Sequence, residues 1–210
     1  MKQIIIALFS MLIAISYSCK PTAVEESTVM KEEADVYAAY INKHYITKTW
    51  GVLDFENRIF DTIVVCEMTV ALPLNYSKIV TKLPIKDEDI IKDFIKRNAP
   101  DMSESERKLS VIGRYPLNPL IKFGLRHILI SVKEANQIGS GRVWEEFYQK
   151  YPTSRGIVAL SKVGFNKKMN QALFYFVKAW TPEAAEAYLV LLEKKDGEWD
   201  MVSHVLAWIS

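Results

Sequence analysis

The sequence predicts an α+β domain: a curved antiparallel sheet, ending in a C-terminal four-strand meander, with two to three helices packed on one face. Three observations carry this expectation. Residues 156–210 contain four strand-like runs, "GIVALSKVGF", "NQALFYFVKAW", "EAYLVLLEKK" and "EWDMVSHVLAWIS", parted by short polar breaks. The third and fourth runs are joined by Lys195-Asp196-Gly197-Glu198. Asp-Gly between apolar runs marks a tight hairpin, because both central residues of that turn need positive φ. The breaks are also too short for the crossover connections of a parallel sheet, so neighbouring runs should pair antiparallel.

The helices come from residues upstream. Between Thr28 and Ile46 the apolar residues Ala34, Tyr37, Ala38, Ile41 and Tyr45 recur at offsets of three and four, one stripe of an amphipathic helix. "NRIFDTIVVCEMTVAL" is rich in β-branched residues and is stopped by Pro73, a strand. "KDEDIIKDFIKRN" predicts a second helix, with Asp87 as cap, Ile90, Ile91, Phe94 and Ile95 on the inner face, and Lys96 and Arg97 at the C-terminal end. "RYPLNPL" carries two prolines and predicts a loop, and "LRHILISVKEA" predicts a strand. "GSGRVWEEFYQKYP" predicts a third helix opened by glycines and stopped by Pro152.

Composition excludes more than it selects. The 210 residues suit one domain. Lys and Arg number 27 against 25 Asp and Glu. Removing residues 1–18 takes away only Lys2, leaving 26 against 25. So slight an excess gives no electrostatic basis for nucleic-acid binding.

Residues 1–18 have the three parts of an export signal: Lys2, an apolar core from Ile4 to Ile15, and small residues before a cut. The apolar core is too short to cross a bilayer, which takes about 20 residues. Ser16 and Ser18 fit ordinary signal cleavage before Cys19. The segment "ISYSCK" also resembles the lipobox of bacterial lipoproteins, in which a small residue precedes an obligatory cysteine, though Ser16 stands where Leu is commonest. That resemblance implies cleavage before Cys19, diacylglycerol on its thiol and at least two acyl chains, enough for stable anchoring. It places the mature protein at the bacterial cell envelope, its N-terminal lipid in a membrane, on the outer membrane or periplasmic side. Residues 19–33, "CKPTAVEESTVMKEE", are polar and predict a flexible tether to a single domain over 34–210. If Cys19 is lipidated, Cys66 is unpaired; if not, a bridge between the two is open.

Chemistry-bearing residues are sparse. The histidines are His44, His127 and His204, without metal-ligand spacing, and no H-E-x-x-H, C-x-x-C, G-x-S-x-G or P-loop motif occurs. His204 shares an alternation face with Val202, Leu206 and Trp208, the pattern of a packed strand histidine. Cys66, in an apolar run, predicts a buried inert thiol. Ser140 in "GSG" and Ser154 in "PTSRG" predict turns and caps, and "NKKMN" a hairpin tip. These residues predict no catalytic site, metal or cofactor. They leave three functions open: a non-catalytic domain binding a small ligand or envelope protein, a hydrolase using His127 or His204 as base, or an inhibitor or immunity-type protein plugging a partner with "RYPLNPL".

Residues 140–210 resemble a recurring pattern of uncharacterised bacterial lipoproteins. The resemblance lies in a helix with Trp144 and Tyr151-Pro152, the "S-x-V-G-F-N" strand end at 161–166, "QAL" at 171–173, the "LLEKKDGEW" hairpin and the terminal "WIS". Where those relatives carry glycines before the hairpin, this chain has "TPEAAEA". The resemblance implies an envelope address and brings no activity. The hairpin also resembles, in shape alone, those of cone-shaped α+β folds of the nuclear-transport-factor-2 type.

Overall fold

A computed structural model describes residues 23–45, 60–70, 76–98, 112–139, 144–181 and 183–210. The fold is α+β. Strand order in the main sheet is β4-β1-β5-β7-β8-β9, with β6 pairing β7 beyond the end of β5. These strands are β1 (Thr62–Cys66), β4 (Arg126–Ile130), β5 (Ser154–Leu160), β6 (Gly164–Phe165), β7 (Gln171–Thr181), β8 (Ala184–Lys195) and β9 (Glu198–Ile209). The C-terminal runs pair in sequence order and antiparallel, as expected. The first run is split: after Leu160 the chain leaves the ladder and returns as β6. The turn between β8 and β9 has Asp196 at φ 53° and Gly197 at φ 87°, the pair of left-handed residues that Asp-Gly predicts.

The N-terminal half of the sheet departs from the antiparallel expectation. β1 runs parallel to both β4 and β5. Residues 67–125 and 131–153 link these strands, and both links contain helices, so they supply the long crossovers that parallel pairing needs. "NRIFDTIVVCEMTVAL" is likewise not one strand. It breaks at Glu67, and β2 (Met68–Val70) leaves to pair with β3 (Ile112–Pro116) in a small second sheet. The "RYPLNPL" loop therefore begins as strand, and its Leu117 and Asn118 are buried. "LRHILISVKEA" ends as a strand at Ile130, where Ser131 opens α4 (Val132–Gly139) and accepts the Glu134 N–H at 3.2 Å.

Helices cover both faces of the sheet, not one. Helix α1 (Ala23–Tyr40), extended by a wider π turn over Ile41–Tyr45, packs Tyr37, Tyr40, Ile41 and Tyr45 against Val158, Leu160, Phe174, Phe176, Val190 and Leu192. Tyr40 meets Phe174 and Phe176 edge-on at 5.3 and 5.1 Å. The other face carries α2 (Tyr76–Val80), α3 (Asp89–Asn98), α4 and α5 (Trp144–Lys150). There Ile90, Phe94, Ile138 and Phe147 meet Leu173, Tyr175, Leu189 and Leu191. The reason lies in the strands. "ALFYF" in β7 and "LVLL" in β8 are apolar at consecutive positions, and such strands need cover on both sides. A one-sided cone is thereby excluded.

Helix α1 also starts earlier than expected, at Ala23, so residues 23–33 of the expected tether are helical. Composition misleads here because its carboxylates are satisfied. Glu33 is 2 % exposed and takes hydrogen bonds from Val163 N (3.1 Å), Asn118 Nδ2 (3.1 Å) and Lys162 Nζ (3.4 Å). Glu32 accepts from Lys194 Nζ at 2.7 Å and Trp199 Nε1 at 2.9 Å.

Candidate functional site

The two histidines considered as bases lie on opposite edges of the sheet, His127 on β4 and His204 on β9. Five inter-strand steps of about 4.8 Å put roughly 24 Å between those edges, so they cannot act on one substrate atom. His127 is exposed, edge-on to Phe123 at 5.3 Å. His204 is exposed as well, not packed: its ring meets Tyr188 at 5.2 Å and Nδ1 lies 3.2 Å from Met201 Sδ. Its face-mates by simple alternation, Val202, Leu206 and Trp208, are also exposed, because β9 is an edge strand with bulges beside Val202 and Ala207. His44, on the π turn, lies 3.4 Å from Asp200. Cys66 is buried, and desolvation raises its pKa, which keeps the thiol protonated and unreactive. Ser154 Oγ donates to Gly156 O at 2.8 Å, a turn role. Cys19 and Ser140 lie outside the described residues. Among the described residues no three His, Cys, Asp or Glu are grouped as a metal site.

The "S-x-V-G-F-N" stretch is where the chain leaves the sheet, and side chains replace the lost ladder. Ser161 Oγ accepts from Tyr175 N at 2.8 Å. Asn98 brackets Lys162, accepting from its N–H and donating to its carbonyl, both at 2.8 Å. Phe165 N donates to Asp93 Oδ2 at 2.9 Å. Gly164 lies against α3 so closely that a Cβ there would sit 2.4–2.5 Å from Phe94 Cβ, Cα and N. Asn166 Oδ1 then accepts from Asn170 N and Gln171 N, both at 3.0 Å, closing the turn "NKKMN".

That turn, the loop before α3 and the end of β8 line an open cleft of about 240 Å³. Asn166 and Gln171, both buried, line it from the turn side. Lys86 and Asp87 come from the loop before α3, Lys168 and Asn170 from the turn, and Glu193 and Lys194 from β8. Several partners are already committed. Asp87 Oδ1 caps α3 through Asp89 N (3.0 Å) and Oδ2 accepts from Asn166 Nδ2 (3.2 Å). Lys194 is held by Glu32 and lies over the Trp199 ring. Others are not. Among the described residues Lys86 and Lys168 have no ion-pair or hydrogen-bond partner. Gln171 is 7 % exposed; its Nε2 donates to Glu193 Oε1 at 2.9 Å, which fixes the amide, and its buried Oε1 has no partner among the described residues. A buried carbonyl left bare costs about 1–3 kcal/mol unless something donates to it.

A second polar cluster sits on the α1 face. Lys178 and Glu186, directly opposite on β7 and β8, form an ion pair with side chains only 7 % and 9 % exposed. The Trp180 ring lies 5.0 Å from the Lys178 ammonium, and Tyr188 Oη donates to Glu186 Oε2 at 2.8 Å. Burial pushes Lys178 down to about 8, against the upward pull of Glu186. Burial raises Tyr40, Tyr45 and Tyr188 above the ordinary tyrosine range.

Sequence reasoning missed the cleft, whose residues come from three separated segments. Only the "F-N…Q" spacing, with polar residues inside an apolar stretch, marked them. "RYPLNPL" is not a free plug: Asn118 Nδ2 donates to Met30 O at 2.6 Å, and Leu117 N to Glu67 O at 2.7 Å. No protein-family model, curated protein or solved structure matches this chain.

Proposed function

We propose that this chain is a lipid-anchored protein of the bacterial cell envelope, held in a membrane through Cys19, whose folded body binds a small polar ligand without catalysing a reaction. The cleft beside the Asn166–Gln171 turn carries the binding half of this reading. It gathers Lys86 and Lys168, uncommitted among the described residues, with Asp87 and Glu193 around one opening, an arrangement that a bound polar ligand would complete. The leader and "ISYSCK" support the anchor. No described helix is long and apolar enough to cross a membrane.

Two measurements test the two halves. The intact mass of the protein from its native membrane fraction should correspond to a chain beginning at Cys19 and carrying two or three acyl chains, and Cys19→Ser should abolish that addition. An unlipidated chain cut after Ser18 refutes the anchor. For the body, incubation with a small-molecule extract of the envelope followed by native mass spectrometry should recover a bound species, lost on Lys168→Met. Recovery of nothing counts against the binding role.

A further inference from the structure

We infer that the cleft ligand is a small zwitterion bearing an ammonium and a carboxylate, such as a free amino acid or a dipeptide. This rests on the binding role proposed above and names the ligand class of that site. The argument is one of charge balance. With Lys194 bound by Glu32, the cleft walls retain Lys86 and Lys168 against Asp87 and Glu193. A lone anion such as phosphate would gain from the lysines but lose to the two carboxylates. A neutral sugar would offer these four charged groups hydroxyls but no opposite charge. Among the described residues no aromatic side chain lines the cleft to offer a sugar a stacking face. A zwitterion meets both signs. Its carboxylate takes Lys86 and Lys168 as charge-assisted donors, and its ammonium meets Asp87 and Glu193. The volume agrees: about 240 Å³ is below the roughly 300–1,000 Å³ of sites for drug-sized ligands, and suits a molecule of amino-acid size.

The test is calorimetric titration of the full-length chain in detergent with L-alanine, L-glutamate and glycylglycine. Acetate, ethylamine, inorganic phosphate and glucose serve as the contrasting probes. At least one zwitterion should bind at least tenfold more tightly than acetate or ethylamine. Lys168→Met and Glu193→Gln should each weaken it about tenfold or more, with melting temperatures held near that of the parent. Zwitterion binding that survives both substitutions would overturn the site. Binding of phosphate or glucose that is lost in Lys168→Met, with zwitterions inert, would overturn the ligand class and leave the binding role standing. If all seven probes are inert while the envelope extract yields a bound species, the zwitterion is refuted alone. If the extract also yields nothing, the binding role falls with it.

Discussion

Gly164→Ala tests whether the "S-x-V-G-F-N" stretch exists for packing. The added methyl would lie 2.4–2.5 Å from Phe94 Cβ, Cα and N. Two of those atoms are backbone of a helix whose Phe94 is fully buried, so no flexible side chain can swing away. Overpacking usually costs about 1–3 kcal/mol through local shifts. Here the shift must part β6 from α3, which forfeits the Phe165 N to Asp93 hydrogen bond, worth about 1.5–3 kcal/mol because its acceptor is charged. It also loosens the packing of Phe94 and Phe165, each worth about 1.5–3 kcal/mol when fully buried. Partial loss of these gives a destabilisation of about 3–5 kcal/mol. In a domain of this size 1 kcal/mol moves Tm by about 2–4 °C, so a fall of roughly 6–20 °C follows. Gly197→Ala is the control. It has no atom within 4 Å of the added Cβ and only a φ of 87° to contend with, a conformational cost of about 1–2 kcal/mol. Urea denaturation followed by tryptophan fluorescence compares the two. If Gly164→Ala is no more destabilising than Gly197→Ala, the close approach of β6 to α3 is wrong, and the motif needs another explanation.

Other predictions follow from the buried polar groups. Lys178→Met alone should cost about 3–5 kcal/mol by leaving Glu186 unpaired, whereas Lys178→Met with Glu186→Leu should be neutral or stabilising, read from urea midpoints; a double variant as poor as the single refutes the pair's burial. The pH profile follows from opposing shifts. Lys178 in the fold lies near 8, below its unfolded value, so as pH rises from about 8 towards the ordinary lysine range stability should rise, and the double variant should lack that rise. Tyr37, Tyr40, Tyr45 and Tyr188 are raised in the fold. Above about 10 the unfolded chain therefore sheds protons that the fold retains, and stability should fall; the tyrosinate absorbance of these four should appear only with unfolding. Glu33→Ala removes the acceptor shared by Val163 N, Asn118 Nδ2 and Lys162 Nζ and should cost about 3 kcal/mol, against less than about 0.5 kcal/mol for the exposed Asp35→Ala. Equal melting temperatures for these two variants would refute the network.

What the sequence made legible was local. The Asp196-Gly197 hairpin, the antiparallel pairing of the C-terminal runs in sequence order and the Ile90–Phe94 stripe are set by neighbours within a few residues and agree with the structure, whereas the break after Leu160 is not encoded in the alternation. Ser131-x-x-Glu134 is equally local, a capping signal that ends β4 and starts α4, yet a β-rich flank hid it. The parallel placement of β1 between β4 and β5 depends on links of dozens of residues, whose route no short pattern encodes. The second helix layer was legible in retrospect, since Phe174-Tyr175-Phe176 cannot all face one side of a strand. The cleft was not, because Lys86, Lys168 and Glu193 look like ordinary surface charges until the fold brings them to one place.

The start of α1 bears on how the body sits relative to its proposed anchor. A flexible tether over 19–33 would let the domain swing tens of ångströms from a lipid on Cys19. With helix from Ala23, only three residues separate that cysteine from regular structure, and four Cα steps reach at most about 14 Å. From Ala23 the chain gains only about 1.5 Å per residue, and by Glu32 it is fastened to Lys194 and Trp199. Side chains from Glu25 to Thr28 are exposed, while Glu33, Ala34, Val36 and Tyr37 are buried. Amide hydrogen exchange separates the two pictures. The helix predicts weak protection near its start and protection approaching that of global unfolding from Glu33 to Tyr40, because those amides open only when α1 leaves the sheet. A tether predicts exchange at unfolded rates through residue 33. Unfolded-rate exchange at Glu32 and Glu33 would detach α1's first three turns from the body and restore the long reach. Strong protection there would hold a lipid-anchored domain close against its membrane.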